Sequence, residues 1–235
     1  MLSIIIPTLN EEKYLPLLLG SIKNQDFSDY EIIVADAGSK DKTIEIAKNF
    51  GAKIVKGGLL SYGRNRGAEA ASGETFLFLD SDLVLVHREF LKNALVKMKQ
   101  RNLSLAVFPL IPINGKNIDK FAHFFWNNWS LFTQRWFPHG ASAFLVDKKI
   151  HQKIGGFDET LLFVEDQPYV AAVSKAARFG IIREEPVFVS TRRYVRDGRL
   201  NVYAKYFLAD FYLFFIGPIK SNIFNYKFGH YDEKK

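Results

Sequence analysis

Four short apolar segments alternate with amphipathic segments over the first hundred residues, and this alternation constrains the fold more than any other feature. The apolar segments predict strands at 2–6, which Pro7 is expected to end, and at 31–36, 52–57 and 75–80. Apolar residues at helical spacing predict helices at about 15–23, 42–49, 63–71 and 88–101. Strands and helices that alternate at such short intervals predict an α/β fold with an open, mostly parallel, Rossmann-like sheet flanked by helices.

The alternation loosens beyond residue 104. Strands are expected at 104–111, 141–146 and 181–189, and helices at 118–136, 147–154 and 167–178. A basic stretch and a helical, aromatic C-terminal tail follow. We therefore expect three parts, residues 1–100, 101–195 and 196–235.

Composition excludes several classes of protein. Apolar residues make up 48% and charged residues 24%, which excludes a disordered chain. The absence of cysteine excludes a disulfide scaffold, thiol catalysis and zinc-thiolate sites. The opening segment lacks the basic leader of an export signal, so a cytoplasmic location is expected. No apolar run reaches the roughly 18 residues of a membrane-spanning helix.

Charge and aromatic residues are concentrated in the second part of the chain. Residues 1–100 carry 13 Lys and Arg against 13 Asp and Glu, whereas residues 101–235 carry 19 against 12, so the formal +7 charge lies wholly in the second part. A basic, aromatic half suits an anionic membrane surface, nucleic acid or a phosphorylated substrate. The aromatic residues cluster at helical spacing with few basic residues between them, which argues against base stacking, so no nucleic-acid partner is expected.

An Asp-x-Asp pair, Asp80 and Asp82, stands where the fourth strand ends. Residues i and i+2 of an extended backbone point to the same side, so both carboxylates can face one ligand. Carboxylates without neighbouring Cys or His suit Mn²⁺ or Mg²⁺, which often bridge a protein to substrate phosphates. The alternative is a solvated turn after a strand.

Polar residues also follow the first two strands. Asp36 ends the second strand, and Asn10 and Glu11 follow the first. Because ligands of such sheets bind at the carboxyl ends of the strands, these residues are expected to share one edge with Asp80 and Asp82. For Asp36 the alternative role is to cap the helix that begins near residue 42.

Four motifs occur in order along the chain: PTLNEEKYLPLLLGSI from Pro7, VADAGSKDKT from Val34, YGRNRGAEAASGETFLFLDSDL from Tyr62 and GGFDETLLFVEDQPY from Gly155. Together they resemble the family 2 glycosyltransferases, enzymes of the nucleotide-sugar-binding GT-A fold, in register over about residues 2–185. The resemblance implies an inverting, metal-dependent transferase that uses a UDP- or GDP-sugar donor and Mn²⁺ or Mg²⁺.

The resemblance also implies roles for individual residues. It assigns residues 1–100 to nucleotide-sugar binding and residues 101–195 to the acceptor and the catalytic base. Thr8, Asn10 and Glu11 would line the nucleoside pocket, Asp36 would bind the base, and Arg64 would lie near the diphosphate. Asp80 and Asp82 match the metal-binding motif, with Asp82 the direct ligand, and Asp166 matches the catalytic base. Read without the resemblance, Glu165 and Asp166 are an acidic pair that stabilises a helix N-terminus.

Further candidates lie near the acceptor or the diphosphate: His139, Glu165, Arg192 and Arg193. Guanidinium groups pair well with phosphate, although the arginines also fit a solvated basic face and His139 a structural role. His230 is a candidate third metal ligand.

The expected partners are the nucleotide-sugar donor and a glycan or lipid-linked acceptor. Two placements are expected for residues 200–219. They pack on this chain or on a second subunit, which would form a homodimer, or they lie in a membrane interface at the inner face of the membrane. Two rival functions remain. One is a sugar-phosphate nucleotidyltransferase, although this sequence lacks the glycine-rich phosphate loop that such an enzyme would need near its N-terminus. The other is a non-catalytic protein that binds a nucleotide or nucleic acid.

Overall fold

The structure is a computed structural model that describes residues 1–161, 163–220 and 223. The strands are β1 (Leu2–Thr8), β2 (Tyr30–Asp36), β3 (Lys53–Lys56), β4 (Thr75–Leu79), β5 (Leu83–Val84), β6 (Leu105–Val107), β7 (Leu110–Ile113), β8 (Ala143–Asp147), β9 (Phe179–Ile181) and β10 (Val187–Ser190). The helices are α1 (Leu15–Lys23), α2 (Thr43–Asn49), α3 (Leu60–Glu69), α4 (Phe90–Gln100), α5 (Asn117–Thr133), α6 (Lys148–Lys153), α7 (Asp166–Ala176), α8 (Arg192–Asp197) and α9 (Arg199–Phe215).

A seven-stranded sheet in the order β3-β2-β1-β4-β8-β6-β9 forms the centre of the molecule. Its strands pair in parallel except at β8, which runs antiparallel to both β4 and β6. The predicted open, mostly parallel α/β sheet flanked by helices is therefore confirmed. Strands from the second part of the chain, β6, β8 and β9, complete the sheet that β1 to β4 begin.

Two apolar cores lie on opposite faces of this sheet, because successive residues of a strand point to opposite sides. Ile4 and Ile6 of β1 face α1, α2 and α4. Ile5 faces α3 and α7 together with Phe76 and Phe78 of β4. Both faces are covered, which explains why these strands read as continuous apolar runs.

The expectation that Pro7 ends the first strand is wrong, because β1 continues to Thr8. Thr8 accepts a hydrogen bond from Ala37 on the β2 side, so the neighbouring Pro7 faces β4 instead. The pairing of β4 with β1 ends at Ile5. Pro7 therefore sits where no ladder bond requires its missing N–H.

The two later strands expected at 104–111 and 181–189 are each divided into two. β6 and β9 join the large sheet, whereas β7 and β10 form a second, three-stranded sheet in the order β5-β10-β7. Pro109 and Pro186 stand at the two divisions, and a proline cannot donate to a ladder. The chain changes sheet at these prolines.

The predicted helical, aromatic tail is present as α9. Within the part of the chain that the structure describes, no helix combines the length and the apolar character needed to cross a membrane.

Candidate functional site

A pocket of about 410 Å³ opens at the edge of the large sheet, where β1 and β4 end. One wall is charged, with the acidic residues Glu11, Asp80, Asp82, Glu165 and Asp166 and the basic residues Arg64, Arg192 and Arg193. The opposite wall is mostly aromatic and comes from α5 and α9, which contribute Phe125, Trp126, Tyr206 and Phe207. Most of the residues expected from the sequence to form a site therefore line one cavity.

Asp36 is not among the residues that line this pocket, and its carboxylate organises the turn after β2. Its oxygens accept hydrogen bonds from the Thr8 hydroxyl at 3.0 Å and the Ser39 hydroxyl at 2.5 Å. The backbone N–H groups of Gly38 and Ser39 add two more, at 2.9 and 2.8 Å. Asp36 thus joins the ends of β1 and β2 and is not the cap of α2.

Asn10 joins the same two loops from the other side. Its backbone N–H donates to the Ser39 hydroxyl at 2.8 Å, and its side-chain oxygen accepts from the Lys40 N–H at 2.9 Å. Asn10 adopts a φ of 55°, in the left-handed region that asparagine tolerates better than most residues. This conformation turns the chain so that Glu11 faces the pocket.

Arg192 bridges two of the predicted site carboxylates. Its guanidinium donates to both carboxylate oxygens of Glu11, at 2.6 and 2.7 Å, and to Asp82 at 3.0 Å. The second sheet brings these groups together, because the Ser190 N–H donates to the Asp82 carbonyl at 3.0 Å. Burial raises the pKa of Glu11, although the Arg192 charge lowers it in part.

Arg64 is buried beneath the charged wall and pairs with Asp80 at 2.8 Å and with Glu165. Its guanidinium also lies over the rings of Phe144 and Phe157, at 5.7 and 5.3 Å from their centroids. Arg64 therefore holds two acidic residues from distant parts of the chain at the pocket wall.

Asp166 begins α7 and reaches the pocket beside Gly140. A Cβ built on Gly140 would come within 2.6 Å of the Asp166 carboxylate, so only glycine allows this approach. Burial and then the Glu165 carboxylate raise the pKa of Asp166 to about 7. This carboxyl group can therefore exchange a proton near neutral pH.

The remaining candidates that the structure describes, His139 and Arg193, line the same cavity. The His139 ring is buried and shares a hydrogen bond of 2.9 Å with the Thr133 hydroxyl. Burial lowers its pKa to about 4, so the ring is neutral at physiological pH. Arg193 donates to the Tyr206 hydroxyl. His230 lies outside the described residues.

Asp210 of α9 is a pocket residue that the sequence reasoning did not identify. Its carboxylate lies 3.7 Å from the His139 ring, and burial followed by the Asp166 charge raises its pKa to about 7. The signal available in the sequence is an acidic residue within an otherwise aromatic and apolar segment.

The carboxylates of Asp80 and Asp82 fit a divalent cation. Both are hard oxygen donors at the pocket wall. Each pairs with a guanidinium group, which a bound cation would have to displace or share the carboxylate with. Within residues 1–161 and 163–220, no three acidic or histidine side chains converge as a ligand cluster. A cation held here would complete its shell with water and substrate phosphates, as Mg²⁺ usually does.

Comparison with protein families identifies one match. The model of a family described as glycosyl transferase family 2 matches residues 3–157. Among curated relatives, the poly(ribitol-phosphate) beta-N-acetylglucosaminyltransferase TarS of Staphylococcus aureus is 27% identical over 209 residues, which is 81% of this chain and 35% of TarS. The GalNAc(5)-diNAcBac-PP-undecaprenol beta-1,3-glucosyltransferase of Campylobacter jejuni is 37% identical over 110 residues, 43% of this chain and 34% of that protein.

Solved structures share the fold. S. aureus TarS 1-349 in complex with UDP-GlcNAc has a TM-score of 0.69 at 21% identity, covering 90% of this chain and 66% of that chain. The mannosyltransferase PcManGT from Pyrobaculum calidifontis, in complex with GDP-Man and Mn²⁺, has a TM-score of 0.72 at 15% identity, covering 89% and 62%. These likenesses confirm the GT-A type of fold. The chain spans about a third of the length of the curated relatives it matches.

Proposed function

The chain belongs to glycosyl transferase family 2, and from that membership we propose that it transfers a sugar from a UDP- or GDP-sugar to an acceptor, with inversion at the anomeric carbon. The observation that carries the proposal is the convergence of the Asp-x-Asp pair, two arginines and Asp166 on one pocket. Solved relatives of the same fold are complexed with UDP-GlcNAc and with GDP-Man. Residues 1–100 would bind the donor, and residues 101–195 would supply the base and part of the acceptor site.

The donor diphosphate would lie against the charged wall. Asp80 and Asp82, with Asp82 the more direct ligand, would hold Mn²⁺ or Mg²⁺, and PcManGT is complexed with Mn²⁺. When bound, such a cation neutralises the charge that builds on the leaving diphosphate. Arg192 and Arg193 would contact phosphate oxygens, because a guanidinium group pairs with phosphate through two hydrogen bonds. The nucleoside would be surrounded by Thr8, Asn10, Glu11 and Asp36. Arg64 would hold Asp80 in place.

Asp166 would act as the catalytic base. Its carboxylate takes the proton of the acceptor hydroxyl as the hydroxyl oxygen bonds to the anomeric carbon. The bond between that carbon and the diphosphate oxygen breaks, and its electron pair leaves with the nucleoside diphosphate. A single displacement inverts the configuration of the anomeric carbon. The pKa of about 7 supports this role, since such a carboxylate is a stronger base than an ordinary aspartate.

The acceptor would be a glycan or a lipid-linked sugar or phosphate that enters along the aromatic wall. His139, Glu165 and Asp210 line the same pocket as Asp166. A lipid-linked acceptor is favoured because an aromatic wall suits an apolar chain, and the name of the C. jejuni relative includes a PP-undecaprenol acceptor.

A thermal-shift panel of UDP- and GDP-sugars, each with and without Mn²⁺, tests the donor and the cation together. A donor that binds only the folded chain raises Tm, and Mn²⁺ should increase that rise. Asp82→Asn should lose the Mn²⁺-dependent part while keeping its circular dichroism spectrum. Asp26→Asn is the matched control, because it makes the same change at an exposed ion pair with Arg88. This variant should keep the Mn²⁺-dependent rise in Tm. An unchanged Mn²⁺ effect in Asp82→Asn would contradict the assignment.

A further inference from the structure

Helix α5 exposes a continuous apolar stripe. Its residues recur at intervals of three or four, so they lie on one side of the helix and of the turn that follows it. They are Ile118, Phe121, Phe125, Trp129, Phe132 and Trp136, each between 44% and 74% exposed. An isolated exposed apolar residue needs no explanation, but a row of six does.

Helix α9 exposes a second apolar stripe along one side. It consists of Leu200, Phe207, Phe211, Phe214 and Phe215, each at least 58% exposed. The opposite side of α9 is buried through Val202 and Ala209. The helix is therefore packed on the protein by one face and presents aromatic rings to solvent on the other.

Helices α5 and α9 approach each other near both ends, with their N-terminal ends together. Near their N-terminal ends, Asp119 of α5 accepts hydrogen bonds from Arg199 and Tyr203 of α9. At the other end, the ring of Phe137, beyond α5, contacts the ring of Phe214 with centroids 5.4 Å apart. Phe125 and Phe207, one from each stripe, both line the pocket. Both stripes therefore border the same pocket, and together we call them the aromatic platform.

The charge around the aromatic platform indicates which kind of surface can bind to it. Residues 116–136 and 192–215, which contain it, carry eight basic and three acidic side chains. Arg192 is neutralised in the pocket by Glu11 and Asp82, whereas Lys116, Lys120 and Arg135 are exposed. A second copy that docked face to face would bring two net positive surfaces together, which is unfavourable. An anionic lipid surface would attract them, at about 1 kcal/mol for each basic residue near it. Exposed Phe and Trp beside basic residues are typical of helices that lie in a membrane interface.

We propose that the aromatic platform docks on the surface of an anionic phospholipid bilayer, with α5 and α9 lying in the plane of the interface. The pocket mouth then opens at the level of the lipid headgroups. This proposal deepens the proposed function. An acceptor whose lipid tail stays in the bilayer could reach Asp166 without leaving the membrane, and only this consequence for catalysis rests on the proposed function. The docking itself does not depend on the transfer reaction.

The tryptophans of the chain provide a direct measurement. All three, Trp126, Trp129 and Trp136, lie in or just after α5. Vesicles of phosphatidylcholine with phosphatidylglycerol should shift their emission to shorter wavelength, and brominated lipids should quench it. Flotation should give a bound fraction that falls as salt rises, since salt screens the attraction. Pure phosphatidylcholine vesicles should bind much less.

Paired variants separate the platform from general surface apolarity. Phe121→Ser with Phe132→Ser should lower the vesicle-bound fraction at least about tenfold, because two rings no longer enter the interface. Leu17→Ser with Val96→Ser removes two exposed apolar residues from α1 and α4 and should leave binding unchanged. Circular dichroism checks that both variants are folded.

Three outcomes would overturn the proposal: no flotation with either vesicle, equal loss in both variant pairs, or a platform-dependent dimer in light scattering without vesicle binding. The donor-induced rise in Tm is measured on the same samples. If that rise persists while vesicle binding is absent, the platform proposal is wrong and the proposed function stands. If vesicles bind but no nucleotide-sugar raises Tm, the proposed function is wrong and the platform proposal stands.

Discussion

Asp166 lies at the pocket wall, and its surroundings raise the pKa of its carboxyl group. Asp166→Asn removes the proton acceptor but keeps the size of the side chain. We expect donor-induced thermal shifts to persist while the transfer rate falls by about 10² or more. In the wild type, the rate should rise with pH through about 7, because the deprotonated form is the base. Rates of product formation measured from pH 5.5 to 8.5 test both statements, and a near wild-type rate in the variant would remove Asp166 from this role.

Single residues of this site differ in how well a sequence identifies them. Asp36, Asp80 and Asp82 stand directly after apolar strands, so a local pattern locates them at the correct edge of the sheet. The partners of Asp82 and Asp166 could not be identified in this way. Arg192 reaches Asp82 through the second sheet, and Asp210 reaches the pocket through α9, so both contacts depend on how distant parts of the chain pack.

Among the elements, α3 lies unusually close to β1, and glycine makes this approach possible. A Cβ on Gly67 would lie 2.3 Å from the Cγ2 atom of Ile5, a buried side chain in the central sheet. Gly67→Ala should therefore destabilise the fold by about 1–3 kcal/mol, despite the better helix propensity of alanine. Urea unfolding measures the loss. Because α3 carries Arg64, donor affinity should fall as well.

Gly20→Ala is the matched control, since it makes the same change within α1. A Cβ at position 20 meets no atom within 4 Å. This variant should gain up to about 1 kcal/mol, the difference in helix propensity between glycine and alanine. Equal effects in the two variants would mean that the contact between α3 and β1 does not constrain position 67.

The second sheet is the part of the fold that sequence patterns did not predict. β5 has only two residues, too few to show alternation. β7 and β10 pair in parallel although nearly eighty positions separate them, and each belongs to a longer expected strand that begins in the large sheet. The elements that alternate locally along residues 1–100 were predictable because their apolar periodicity is uninterrupted.

At the scale of the whole molecule, buried groups give stability opposing dependences on pH. His139 and His151 have pKa values of about 4 in the folded chain, below the ordinary 6.5, so acidification from pH 6.5 favours the unfolded chain. Asp166 and Asp210 have pKa values of about 7, above the ordinary 3.8, so the folded chain binds their protons first and gains stability over the same range. The total curve should therefore be flatter than either pair would produce.

A difference measurement isolates one of these groups. His151 is buried and hydrogen-bonded to the Tyr169 hydroxyl at 2.8 Å. His151→Gln should be less stable than the wild type at pH 7.5, and the gap should shrink by roughly 1–2 kcal/mol by pH 5, as the wild type loses this contribution. Urea midpoints at four pH values test this.

The bridge from Arg192 to Glu11 joins residues 181 positions apart. A ribosome makes the chain from its N-terminus, so Glu11 and Asp82 emerge long before the guanidinium that neutralises them. Until residue 192 follows, the edge of the nascent sheet carries an acidic cluster without this counter-charge. This part of the binding face is consequently completed late, by one of the slowest kinds of contact to form, one that joins residues far apart in the chain. Early folding can proceed around the two apolar cores, and competence to bind the donor should arise only at its end.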